Sequence, residues 1–267
     1  MGDIRPGPPQ LRPGRALAHT TGASGSGSPH RSDSRPPQTP RGARPSDPIG
    51  RPGTTPPVPG RPASFLLLGL PALLFALITW QVVTDGPLLR ADERVSRALI
   101  HPDRFSELLA DLGNVQVAVP VLLVALVYVA RRARGIGTDR WWLPPTAAAL
   151  LMALVPALIV PLKELIDRPG TPAGPPGTGY YPSGHTATAA LAYGAAALLL
   201  LPWLHSATAR RACVVLCAAL VLGASYGLVR RGYHWPLDVV ASWGLCGVLL
   251  VSLWLLLARR PIIGRRA

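Results

Sequence analysis

Two short stretches carry residue types that could do chemistry on an anion. One is Pro182-Ser183-Gly184-His185, and the other is His234-Trp235-Pro236-Leu237-Asp238. A histidine and a carboxylate four residues apart share one helix face, so Asp238 can accept a hydrogen bond from His234 if a helix starts near Trp235. That bond fixes the tautomer and leaves the other ring nitrogen free to attack. Alone, Asp238 would be an N-terminal dipole partner. Ser183 and Gly184 stand where a long apolar run begins, and the free amides and positive dipole end of a helix N-terminus suit a phosphate. A serine there is also an ordinary N-cap, and one turn can serve both purposes. His185, within the first turn, is placed to protonate a leaving-group oxygen as a general acid.

Two cations precede these groups. Lys163 is the only lysine in a chain whose other basic residues are all arginine. It reads either as a snorkelling residue at a membrane boundary or as a flexible point charge for a phosphate. Arg168 follows in a Gly/Pro-rich loop, and Arg230 and Arg231 precede His234. Together these groups describe nucleophilic displacement at phosphorus with the charge held by cations and amides.

The elements that must position them are membrane helices. At 49% hydrophobic residues and a mean hydropathy of +0.29, the chain is too apolar for an ordinary soluble domain. The apolar residues concentrate in runs near Ser64–Val83, Val115–Ala130, Trp141–Leu162, Thr186–Leu204, Ala212–Val229 and Val239–Ala258. Each approaches the roughly 20 residues a bilayer requires, and only helices satisfy their own backbone there. The expected fold is therefore all-α, a six-helix membrane bundle, with the second span the shortest. Residues 1–62, rich in Pro, Gly, Ser and Arg, are expected to be a disordered tail without a signal-peptide core, 63–258 the membrane domain, and 259–267 a basic C-terminal tail.

The net charge of +14 does not point to nucleic acid, because the arginines sit at the ends of spans. With six spans, the N-terminal tail, Arg131 to Arg134, Arg210-Arg211 and the C-terminal tail share one side. The positive-inside rule makes that side cytoplasmic and puts the loops Thr84–Asn114, Lys163–Gly184 and Arg230–Leu237 outside. Cys213, Cys217 and Cys246 lie inside apolar runs and read as small buried hydrophobes rather than a disulfide or metal site.

At these residues the chain resembles the type 2 phosphatidic acid phosphatase superfamily, whose signatures are K-x6-R-P, P-S-G-H and S-R-x5-H-x3-D. The second is intact at Pro182 to His185, and the end of the third at His234 to Asp238. The resemblance implies a six-helix core and a metal-independent phosphatase with no cofactor, working through a phosphohistidine. It further implies His234 as nucleophile, Asp238 as its orienting partner and His185 as acid, with Lys163, Ser183 and Gly184 on the phosphoryl oxygens. Two departures stand out: Gly170 occupies the first family arginine position, and Gly227 and Leu228 occupy the serine and arginine of the third signature. Arg168 and Arg231 are the expected replacements, Arg231 because it shares a helix face with Leu228 while Arg230 points about 200° away.

The expected substrate is an amphiphile with its headgroup at the mouth of the bundle and its tail in lipid. Phosphatidic acid, phosphatidylglycerol phosphate and undecaprenyl diphosphate all fit that description. A non-catalytic lipid-binding or transport protein is the rival, disfavoured by the intact His185, His234 and Asp238 and by spans nearly free of mid-membrane charge. The expected setting is a bacterial plasma membrane with both termini cytoplasmic and the site on the outer face.

Overall fold

A computed structural model describes residues 61–258. The tails expected at 1–62 and 259–267 lie outside the described residues, except that Arg61 and Pro62 open the first helix. In chain order the helices are α1 (Arg61–Val83), α2 (Leu88–Leu99), α3 (Arg104–Asp111), α4 (Val115–Gly135), α5 (Leu143–Ile166), α6 (Gly184–Leu200), α7 (Ala207–Arg230) and α8 (Pro236–Ala258). A short 3-10 turn, Leu201–Trp203, extends α6. Six of these, α1 and α4 to α8, are long and apolar enough to cross a bilayer, and the chain is an integral membrane protein.

The second span is not short: α4 runs to Gly135, past the expected end at Ala130. Arg131, Arg132 and Arg134 continue the helix because long side chains can lie back along it while their charges reach the interface. Arg132 and Arg134 place their guanidinium groups 5.8 and 5.4 Å from the ring centres of Trp203 and Trp141.

α6 is the axis of the bundle. Its sequence, GHTATAALAYGAAALLL, is dominated by small residues, and most of them are buried. Without a hydrophobic drive between helices in lipid, close approach of backbones is what packs them, and Ala and Gly permit it. α4, α5, α7 and α8 all pack on α6, while α1 covers the outer face of α8, where Gly244 lies against Pro71 and Phe75. A Cβ on Gly244 would come within 2.9 Å of the Pro71 carbonyl oxygen. Leucines such as Leu66 and Leu150 face outward, as lipid contact demands.

The segment expected as a loop, 84–114, instead contains α2 and α3. α3 is opened by a reciprocal cap: the Asp103 carboxylate accepts from the Ser106 amide at 2.6 Å, and the Ser106 hydroxyl oxygen accepts from the Asp103 amide at 3.0 Å. Its Ala110 packs on α7 at Gly227. α2 carries Arg90, Arg94 and Arg97 at the surface and buries only Asp92 and Ser96. Both helices roof the end of the bundle where α5 and α7 finish and α6 and α8 begin.

Candidate active site

Four elements meet at that end. α5 finishes at Ile166, with Lys163 in its last turn and Asp167 as a left-handed cap at φ 48°. The loop to α6 then doubles back, held by the Tyr180 amide donating to the Arg168 carbonyl at 3.1 Å and by the Gly170 amide donating to that of Gly177 at 3.1 Å. The Thr171 hydroxyl donates to the Gly232 carbonyl, stitching the loop to the turn between α7 and α8. Tyr181 is fully buried, its hydroxyl 2.7 Å from that of Thr79, and burial pushes its pKa up to about 12.

Ser183 caps α6, its Oγ accepting from the Thr186 amide at 3.2 Å. The Ser183 amide itself donates to the Asp238 carbonyl, and the Ser242 hydroxyl donates to the Ser183 carbonyl at 2.8 Å. Those bonds fix the start of α6 against the start of α8. The amides of Gly184 and His185 remain as the unsatisfied donors every helix start presents. The Ser183 hydroxyl proton is likewise still available, since accepting from Thr186 uses only a lone pair.

α8 begins at Pro236, so His234 stands just before it and Asp238 in its first turn. His234 Nδ1 is 3.2 Å from Asp238 Oδ2, and both residues are buried. An ionised carboxylate can only accept, so this bond requires the proton on Nδ1 and leaves the lone pair on Nε2. Asp238 is itself held from two more sides: the Trp235 amide donates to Oδ2 at 3.2 Å, and Arg168 Nη1 donates to Oδ1 at 2.6 Å.

Arg168 is therefore not facing open space. Its Nη2 donates to Asp92 Oδ2 at 2.7 Å, and its guanidinium stacks 5.3 Å from the centre of the Trp235 ring. Both terminal nitrogens are committed to carboxylates, whereas sequence reasoning assigned them to a phosphate. Arg231 is also engaged: Nη2 donates to the Tyr233 hydroxyl at 3.1 Å and Nη1 lies 3.9 Å from Glu107 of α3. Its place on an anion would need that side chain to turn. Arg230 reaches Asp103 Oδ2 through Nε and Nη2 at 3.1 and 2.9 Å. The Ser106 amide and Arg230 together hold the Asp103 carboxyl down at about 2.

Lys163 Nζ donates to the Gly179 carbonyl at 2.8 Å and lies 6.0 Å from the centre of the Tyr180 ring. The same ring meets His234 edge-on, centroids 5.7 Å apart. Lys163, Gly184 and His185 line one end of a cavity of about 600 Å³ whose walls are apolar side chains of α4 and α5, among them Leu122, Leu126, Met152 and Ile159. Lys163 and His185 thus form the polar end of a pocket that continues into the membrane.

The positions where the family signature has arginine are closed by packing. A Cβ on Gly170 would stand 2.7 Å from a Tyr180 ring carbon, so that ring takes the space a side chain there would use. Leu228 is buried at 1% exposure, and a Cβ on Gly227 would approach the Ala110 amide nitrogen to 2.4 Å. α3 could not sit where it does on a serine at 227. Sequence reasoning missed Asp92 and Tyr180. Tyr180 lies two residues before the P-S-G-H signature without belonging to it, and Asp92 has no spacing relation to any of the three signatures.

Comparison with known proteins bears on the fold that carries these residues. Residues 144–262 match the family described as the PAP2 superfamily. The fold is similar to the crystal structure of the first transmembrane PAP2 type phosphatidylglycerolphosphate phosphatase from Bacillus subtilis. The identity is 22% and the TM-score 0.61, over 76% of this chain and 100% of that one. Curated proteins gave no match to the chain.

Proposed function

We propose, from the match of residues 144–262 to the PAP2 superfamily, that this membrane protein hydrolyses the phosphate of a lipid headgroup through a histidine nucleophile. The observation that carries the reading is the apolar cavity ending at Lys163 and His185, with the Tyr180 ring standing between Lys163 and His234 of the His234–Asp238 pair. A soluble phosphate ester gains nothing from such walls, whereas a lipid can leave its chain among them while its headgroup meets the charges.

The steps follow from the atoms. Nε2 of His234 attacks phosphorus, and the bond to the lipid oxygen breaks as that oxygen takes a proton from His185. Asp238 stabilises the cationic imidazole formed as the N–P bond is made. A water deprotonated by His185 then attacks the phosphohistidine, releasing phosphate and restoring Nε2. Lys163, the Gly184 and His185 amides and the Ser183 hydroxyl are placed to hold the phosphoryl oxygens, where charge builds in the transition state. Arg168 is placed to act on Asp238, to which its Nη1 donates. A lipid phosphate monoester and a polyprenyl diphosphate both present the terminal phosphoryl group this requires.

Protein in nanodiscs, given phosphatidic acid, phosphatidylglycerol phosphate and undecaprenyl diphosphate in a metal-chelating buffer, is expected to release phosphate from at least one. Binding of these lipids without release from any of them would contradict the reading and favour a lipid-binding protein.

The site is further proposed to face the outside, with both termini cytoplasmic, because arginines crowd the opposite ends of the spans. Thr178 lies exposed in the loop after α5, and Gly135 ends α4 with open space around its Cα. In a background with the three native cysteines replaced, an impermeant thiol reagent on intact cells is expected to label Thr178→Cys and spare Gly135→Cys. The reverse pattern would place the site in the cytoplasm.

A further inference from the structure

α2 packs across the end of the bundle, yet one of the two residues it buries is an acid. Asp92 is 3% exposed, and burial pushes its carboxyl up while Arg168 and the Leu237 amide pull against that shift. A buried ion pair is often no more stabilising than apolar residues of the same volume. Structure alone therefore gives little reason to put an acid here.

Its two oxygens are divided between two different tasks. Oδ2 takes Arg168 Nη2 at 2.7 Å, and Oδ1 takes the amide of Leu237 at 2.9 Å, the residue immediately before Asp238. Arg168 passes its other nitrogen to Asp238 Oδ1 at 2.6 Å, and Asp238 Oδ2 meets His234 Nδ1. The result is a continuous chain, Asp92, Arg168, Asp238, His234, in which every member is less than a tenth exposed.

We propose that Asp92 is a positioning residue for His234: it anchors one tine of the Arg168 fork and the first turn of α8, so that Asp238 presents Oδ2 to the imidazole. A guanidinium prefers to grip one carboxylate with two parallel bonds. With Asp92 in place Nη2 is turned to Asp92 and Nη1 meets Oδ1 of Asp238. Without it, the fork can close on both oxygens of Asp238 and compete with His234 for Oδ2. The proposal rests on the reading of His234 as the nucleophile.

The test uses the full chain in nanodiscs with 15N-histidine labelling, comparing wild type with Asp92→Asn, Asp92→Glu, Arg168→Gln and the double variant Asp92→Asn/Arg168→Gln. Asp92→Asn keeps shape and an acceptor for Leu237 but loses the charge. It is expected to lower kcat about tenfold or more, the scale of one charge-assisted hydrogen bond, with KM within about twofold. The downfield Nδ1–H resonance of His234 is expected to shift or vanish. Asp92→Glu restores part of both signals. In Arg168→Gln two buried carboxylates face each other without a cation, so the added Asp92→Asn is expected to raise kcat at least about fivefold over that single variant by removing the repulsion.

Asp92→Asn with wild-type kcat and an unmoved resonance would overturn the proposal. So would a drop in kcat with the resonance unmoved, or a double variant no better than Arg168→Gln. Should wild type hydrolyse none of the lipid phosphates, the phosphatase reading falls. The His234 resonance would then decide by itself whether Asp92 sets the imidazole contact.

Discussion

Replacing His234 with alanine is expected to abolish phosphate release, a loss on the order of 10⁶ in kcat when a covalent nucleophile is removed. His185→Ala is expected to lose less, roughly 10²- to 10⁴-fold, because it removes a general acid and leaves the nucleophile in place. The two losses can be told apart by the leaving group. p-Nitrophenolate departs without a proton, so its phosphate ester should recover much of the first-step rate in His185→Ala and none in His234→Ala. In the same variant the second step still lacks its base, so phosphoenzyme should accumulate. Equal losses for the two variants on both ester types would mean that attack and protonation are not divided between these residues.

The second large effect is expected at Arg168. Asp92 and Asp238 have side chains with no exposure, and Arg168 is the cation between them. Arg168→Leu leaves both carboxylates buried without it. Removing one partner of a buried ion pair destabilises by about 3–5 kcal/mol, and activity should fall with it because Asp238 must then share a proton with Asp92. Arg168→Lys should repair little, since a single ammonium cannot reach two carboxylates with the geometry of the fork. Arg231→Ala makes the contrast. Its contact with Glu107 is long and partly exposed, and exposed pairs of this kind contribute little to stability. Thermal unfolding and lipid-phosphate turnover of the three variants check this together. A stable, active Arg168→Leu would remove the buried network from the account.

The parts of this arrangement that lie close in sequence were legible before the structure. Hydropathy located all six spans because bilayer thickness alone sets their length. The His234–Asp238 contact was legible because the two stand four residues apart at a helix start, close enough for them to meet although His234 stands just before α8. α2 and α3 were not. Hydrophobic periodicity reveals a helix through its apolar face, but α2 turns Asp92 and Ser96 inward, and α3 is eight residues long with a Ser-Ala inner face. Arg168 was legible as a cation near the site but not as a partner of Asp238, 70 residues away, because a loop containing Pro169, Gly170 and Pro172 has no period from which a direction could be read. Gly170 and Gly227 were visible as departures from the family pattern. Only packing explains them: Tyr180 covers one and α3 sits on the other.

Both departures leave Lys163 as the cation beside His185 in the cavity. In the proposed mechanism the catalytic load then falls on covalent attack by His234. Rapid quench of wild type mixed with a lipid bearing a 32P-labelled terminal phosphate measures that step directly. The account predicts label on the protein within the first turnover, stable in base, released by acid, and located on the peptide containing His234. Turnover of the lipid with no acid-labile protein label, or with the label still present in His234→Ala, would contradict it.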